Sequence, residues 1–174
     1  MKLFARSVLG AGFLLVFLIA PAASANSGQT TVACADGHVT YSPTTLWPPN
    51  HKLQLITISY TQPCDEPAAV GGPEPGPVCG GPVSLKVDSI TQNEEPPGSG
   101  CGQPTSKQGS DWTGVGDTAS APTEPATVTV IPEVRAERCG TGQGRTYTIT
   151  VTCTDDTESG TATLQVTVPH NQGG

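Results

Sequence analysis

The chain has 174 residues, fifteen of them acidic and eight basic, a formal net charge of −7, and only 5% aromatic residues. An acidic chain with no basic patch is a poor nucleic-acid binder, because that affinity rests on Lys and Arg contacts to phosphate. Much Thr, Val, Gly and Pro, with few helix formers, points to an all-β chain.

Met1 to Ala25 reads as a secretory signal peptide that is cleaved after Ala25. Lys2 and Arg6 supply the positive start, Val8 to Ala20 is apolar, Pro21 breaks the run, and Ala23-Ser24-Ala25 is an A-x-A cleavage site. The apolar run is shorter than the ~20 residues a membrane span needs, and no span is expected after cleavage. Loss of the leader leaves six basic against fifteen acidic residues, a net charge of −9. The remainder, 26–174, has the size of one domain, expected outside the cell or at its surface. Six cysteines remain: Cys34, Cys64, Cys79, Cys101, Cys139 and Cys153. An even number in an exported chain reads as disulfides, and the absence of a C-x-x-C pair argues against zinc or redox chemistry.

Gln29–Cys34 and Gly37–Tyr41 read as a first, edge strand turned at Asp36-Gly37. Ser42 to Asn50 carries three prolines and cannot hold a regular ladder. Leu53–Tyr60 is a strand whose apolar residues change phase, from Leu53 and Leu55 to Ile56, Ile58 and Tyr60, which predicts a bulge or a strand covered on both sides. Gln62–Gly81 is a Pro/Gly loop with Cys64 and Cys79 at its ends. Pro82–Ile90 is a strand with Val83, Leu85 and Val87 facing in. Thr91–Pro125 lacks periodicity and is too long for an ordinary connection; Cys101 is expected to pin it and Trp112 to dock it. Ala126–Ile131 is a strand ended by Pro132. Val134–Arg138 leads into the glycine-rich turn Cys139 to Gly144.

The clearest pattern is the last, Arg145 to Val168. Tyr147, Ile149, Val151 and Cys153 alternate with Thr146, Thr148, Thr150 and Thr152; after an acidic turn, Ala162, Leu164, Val166 and Val168 alternate with Thr161, Thr163, Gln165 and Thr167. Period-two alternation on both arms makes an antiparallel pair with one wet face. A hairpin alone is marginal, so the rest of the chain must supply an opposing layer. The expected fold is an immunoglobulin-like antiparallel β-sandwich of about seven strands, stapled by disulfides, with a long loop at about 91–125.

Chemistry-bearing residues are few. Asp155, Asp156 and Glu158 crowd the hairpin turn, and Asn93 and Glu94 follow a strand. Calcium takes six to eight oxygens, often carboxylates from neighbouring loops. These five are therefore candidate calcium ligands if both loops reach one end of the sandwich, with Glu137 a further one. The competing reading is a solvated acidic rim, or Glu94 paired with Arg135 or Arg138. Trp47, Asn50 and His51, in a stiff proline-bearing stretch, together with Trp112, are candidate ligand-binding residues. The alternative for Trp47 is a plug over one end of the sandwich, with Asn50 capping a turn. His38, His51 and His170 are isolated, no G-x-S-x-G or H-E-x-x-H is present, and Gly140 to Gly144 lacks the Lys-Ser/Thr of a phosphate loop. No catalysis is expected. For the cysteines two pairings stand: Cys34–Cys153, Cys64–Cys79 and Cys101–Cys139, or Cys64–Cys153 with Cys34–Cys79.

Leu46-Trp47-Pro48-Pro49-Asn50-His51-Lys52, then Thr91-Gln92-Asn93-Glu94, Asp111-Trp112, Val134 to Arg138, Gly144 to Thr150 and Val168-Pro169-His170 occur in an order that resembles secreted bacterial immunoglobulin-like modules carrying an LWPPNHK signature, related to hyalin-repeat and cadherin-like adhesion modules. The chain departs from that pattern in two places. No Asn follows Gly160, and Gly98 to Ser120 looks inserted. The resemblance implies an adhesion-type binding or structural module whose partner is an extracellular protein or a glycan. The alternatives are a secreted protease inhibitor acting through the pinned 91–125 loop or, further off, a small hydrolase.

Overall fold

The computed structural model of the chain describes residues 28–62, 81–94, 111–122, 127–140, 143–156 and 158–171. The leader, the Cys64–Cys79 loop and Cys101 lie outside them. Among the described residues the chain is all-β, in eleven segments: β1 (Thr30–Cys34), β2 (Gly37–Ser42), β3 (Leu53–Leu55), β4 (Thr57–Thr61), β5 (Val83–Gln92), β6 (Trp112–Thr113), β7 (Thr118–Ala121), β8 (Thr127–Val130), β9 (Glu133–Arg135), β10 (Gly144–Thr154) and β11 (Ser159–Pro169).

The segments build an antiparallel sandwich. One sheet runs β1-β2-β4-β8, the other β11-β10-β5-β7, and β3-β9-β6 extends the first. β3 with β4 and β8 with β9 are two long strands, each broken once. Leu53 pairs with Arg135 and Ile58 with Val130, so the register is continuous across the gap. The gap falls where Ile56 N–H donates to the Pro132 carbonyl (2.8 Å), because Pro132 has no N–H to return the bond. The phase change at Leu53–Tyr60 is thus neither a bulge nor two-sided cover. Ile56, Ile58 and Tyr60 face the core, while Leu55 faces solvent, 60% exposed.

A real bulge sits in β5. Thr150 pairs with Ser89 and Val151 with Val87, which leaves Asp88 as the extra residue. It brings Ile90 into the core behind Val83, Leu85 and Val87, all buried. The Asp88 carboxylate accepts from the Thr152 hydroxyl and pairs with Lys86 (3.1 Å). The Thr152 bond chiefly holds the Asp88 pKa below its usual value, with Lys86 helping and burial opposing. A depressed carboxylate stabilises the fold above its unfolded pKa near 4, and that contribution is lost as pH falls through the lower folded value. Thr152→Val is therefore expected to lower stability at pH 7, where the contribution is fully present, and to move acid unfolding to higher pH. Equal acid midpoints in pH-titrated circular dichroism would exclude this role.

The second half of the 91–125 stretch is not an excursion. β6 pairs with β9 and β7 pairs with β5, so residues 112–121 pass from one sheet to the other and close that edge of the sandwich. At Gly114, φ is +88° and a Cβ would meet Pro132, so only glycine suits this turn. The Gly98–Ser120 insertion is hence part of the fold from Asp111 onward.

The opposite edge is closed by β1 and β11. Cys34 and Cys153 form a disulfide between the sheets (Cα–Cα 6.0 Å), which overturns the pairing of Cys34 with Cys79 and of Cys64 with Cys153. Gly160 lets the hairpin turn approach: a Cβ there would fall inside contact distance of Ala35 N. Cys139 is also disulfide-bonded, but the cysteines available to it lie outside the described residues.

Candidate functional site

Both ends of the inward row of β10 carry a charged residue. Tyr147, Ile149, Val151 and Cys153 are fully buried, and the same parity turns Arg145 inward at one end and Asp155 at the other. A charge on a core face must find partners, since its unpaired burial is costly. The two ends solve this differently.

At the hairpin turn, Asp155 Oδ1 accepts from Glu158 N–H (2.8 Å) and Oδ2 from the Tyr60 hydroxyl (3.2 Å) of the facing sheet. Asp155 is thus a turn staple that also joins the layers, whereas Asp156 and Glu158 are exposed. Asn93 and Glu94 follow β5 and lie beside the first residues of β10: Asn93 Oδ1 accepts from Thr146 N–H (2.7 Å). Thr146 and Asp155 are nine residues apart on an extended strand, roughly 30 Å. The structure therefore does not bring Asp155, Asp156 and Glu158 together with Asn93 and Glu94, and the five do not form one calcium site. Among the described residues no cluster of three or more His, Cys, Asp or Glu is placed to hold a metal.

At the other end, Arg145 builds a buried network. Its Nε donates to Glu94 Oε2 (3.0 Å) and its Nη1 to Asp111 Oδ2 (3.1 Å). Asp111 Oδ1 takes Arg135 Nε (3.3 Å). Two guanidinium groups and two carboxylates balance in charge, and all four side chains are nearly closed to solvent. Glu94 also accepts the Cys139 N–H on both oxygens (3.1 and 2.9 Å). The expected partners of Glu94, Arg135 and Arg138, are replaced by Arg145; Arg135 pairs with Asp111 instead.

Tyr147 completes the network. Its hydroxyl accepts from Arg145 Nη1 (3.1 Å) and donates to the Arg135 carbonyl (2.8 Å). Trp112 packs edge-on against the Tyr147 ring, with centroids 6.5 Å apart. Trp112 is thus packed against the core through Tyr147 while only partly buried. Burial is the main cause that pushes the Tyr147 pKa up, with the Arg145 hydrogen bond and charge opposing it. A raised phenol favours the fold while both states keep their proton, below about pH 10, and that contribution is lost as pH rises through the higher folded value. Tyr147→Phe is expected to cost about 1–3 kcal/mol for the unpaired Arg135 carbonyl and to flatten the alkaline limb of the stability curve. A wild-type alkaline limb in the variant would rule this out.

The network clamps the Leu46–Lys52 segment. Arg135 Nη1 donates to the His51 carbonyl (2.8 Å), His51 N–H to the Ala136 carbonyl (3.0 Å), and Ala136 N–H to the Lys52 carbonyl (2.9 Å). Asn50 Oδ1 accepts Lys52 N–H (3.0 Å), the expected turn cap. His51 sits in the left-handed region (φ +58°), which histidine tolerates better than most residues. Upstream, Leu46 N–H donates to the Thr167 carbonyl and Thr167 N–H to the Thr44 carbonyl, so the segment also extends the β11 edge. Leu46, at 4% exposure, is the plug over the core. Trp47 is only half-buried.

Trp47 lines a shallow, open groove with Leu46, Pro48, Asn50, Gln54 and Ala136 among its walls. Its volume of about 60 Å3 is room for about two waters, far below the size of an enclosing ligand pocket. His51 and Glu137 flank Asn50 and Ala136 in sequence. His51 Nδ1 is 3.5 Å from Glu137 Oε2, with the His51 side chain 62% exposed and Glu137 buried. This end presents an indole face and two side-chain amides on a hydrogen-bonded backing.

Comparison with protein-family models, with curated proteins and with solved structures returned no match. The arginine that organises this end was open to sequence reasoning. Arg145 has the same parity as Tyr147, so a strict reading of β10 puts it on the buried face and calls for an acidic partner. Asp111 and Glu94 carry no such signal, because they lie outside regular alternation.

Proposed function

We propose that the protein is an exported binding or structural module of the adhesion type, which acts by surface contact at the end of the sandwich carrying Leu46–Lys52. The observation that supports this reading is the clamp itself. A half-buried Trp47 and an exposed Asn50-His51 turn are held by three backbone-directed hydrogen bonds over a buried, charge-balanced network. Rigid presentation lowers the ordering cost of binding. Export is supported by the leader pattern of Met1–Ala25 and by the disulfide between the sheets, which suits an oxidising compartment. The resemblance to LWPPNHK-bearing secreted modules favours the same reading.

The test has two parts. Expressed in a bacterium with its leader, the protein should leave the cytoplasm and begin at Asn26 by N-terminal sequencing. Beads coated with the purified protein should adhere to a collagen or a dextran surface, and Trp47→Ala should lose that adhesion while Thr163→Ala, on the far hairpin face, keeps it. Adhesion that survives Trp47→Ala in a folded variant, or retention of the wild type in the cytoplasm, would count against the proposal.

A further inference from the structure

We infer that the Trp47 groove takes a neutral saccharide, an uncharged sugar unit of a larger glycan laid across its mouth; this rests on the contact-binding reading above.

The lining carries the argument. None of its residues is ionisable, although the whole chain has a net charge of −7. A charged ligand would lose water here without gaining a counter-charge from the groove wall, which is costly. The polar side chains that line it are the amides of Asn50 and Gln54, the Thr45 hydroxyl and the Trp47 indole N–H. Asn50 spends its carbonyl oxygen on Lys52 N–H, which leaves its NH2 free among the described residues. The Gln54 side chain and the Trp47 indole N–H likewise have no partner among them. An amide both donates and accepts, as does a sugar hydroxyl. Trp47 adds a flat apolar plate with one donor, suited to the C–H face of a pyranose ring. The remaining walls, Pro43, Leu46, Pro48 and Ala136, are apolar.

Size and backbone narrow the class further. About 60 Å3 admits an exocyclic CH2OH or a ring edge but not a buried ring, so the sugar must lie over the groove. Such contacts are individually weak and gain strength by repetition along a polymer. An extended peptide would bind through an open main-chain edge; in the segment itself Leu46 N–H is taken by Thr167 and His51 N–H by Ala136. A polyproline ligand would need an aromatic-lined channel, and the groove has a single indole.

The experiment is a tryptophan-fluorescence titration of the intact, oxidised protein. The probes are maltohexaose, cellohexaose and chitohexaose as neutral sugars, oligogalacturonate as an anionic one, and decaproline as the peptide. At least one neutral hexaose should give a saturable change with a midpoint on the order of millimolar. Oligogalacturonate and decaproline should be at least tenfold weaker. Trp47→Ala should abolish binding, read by isothermal titration calorimetry because the substitution removes the fluorescent reporter. Gln54→Leu, which keeps the volume and removes the amide, should weaken binding about fivefold with an unchanged melting temperature. Silence from all three neutral sugars, binding that survives Trp47→Ala or is unmoved by Gln54→Leu, or preference for oligogalacturonate or decaproline would each overturn the inference. Bead adhesion to collagen with silent sugars would leave the contact module standing and remove only its saccharide class.

Discussion

Arg145→Met lowers the unfolding free energy by about 3–5 kcal/mol, the usual cost of leaving a buried ion pair half-made. Arg145 holds Glu94 at 3.0 Å and Asp111 at 3.1 Å. Without it, two buried carboxylates face Arg135 alone, and one negative charge has no counter-charge. In urea unfolding the midpoint falls, and the melting temperature drops by on the order of 10 °C. A second substitution identifies the cause. Glu94→Gln in the Arg145→Met background restores neutrality while its amide oxygen still accepts the Cys139 N–H that Glu94 binds. The double variant is therefore expected to be more stable than Arg145→Met alone, a coupling of opposite sign to simple additivity. If Arg145→Met costs less than about 1 kcal/mol, water reaches the network and the pair belongs to the weak surface class. The same variant should change Trp47 fluorescence, because Arg135 is the link between the network and the His51 carbonyl.

Replacing Cys34 and Cys153 together by alanine is expected to cost about 2–5 kcal/mol. The bond closes a loop of 119 residues. In the chain-entropy account a loop near that length restricts the unfolded state by about 4.7 kcal/mol. The bond also crosses between layers, joining β1 of one sheet to β10 of the other, and both sulfurs are buried. Alanine leaves small voids that add to the loss. The effect should be read by urea unfolding under non-reducing conditions, so that the disulfide of Cys139 stays intact. A double variant with the wild-type midpoint would mean that packing alone holds β1 against the second sheet.

The fold was legible wherever a strand has one wet face. β10 and β11 follow their alternation residue by residue, because a half-buried strand writes its orientation with period two. β5 was read correctly as far as Val87. The bulge at Asp88 then shifted the phase, and only pairing with β10 shows why Ile90 is also inside. The 91–125 stretch failed for a related reason. β6 has two residues and β7 four, too few for periodicity to register. They are strands because edges of two sheets were waiting for them. The calcium expectation needed two loops at one end, and antiparallel pairing of β5 with β10 sends them to opposite ends.

The site shows the same division. Trp47, Asn50 and His51 stand out by their place in a stiff, proline-bearing stretch, and two of them, Trp47 and Asn50, line the groove. Trp112 was singled out with them, yet it belongs to Tyr147 and the core. A lone tryptophan in a polar stretch carries no sign of which way it turns, since that depends on the strand it meets.

By itself, the sequence determined an acidic, all-β chain, its closing hairpin, and the inward row that runs from Tyr147 to Cys153. Those are properties of local alternation and composition, which every residue helps to write. Tertiary structure alone decided that Arg145 meets Glu94 and Asp111, that Asp155 meets Tyr60, and that the Leu46–Lys52 segment is clamped over the result. Those partners lie 34 to 95 residues apart in the chain. What joins them is the cost of burying a charge alone, a condition that exists only once the sheets have closed.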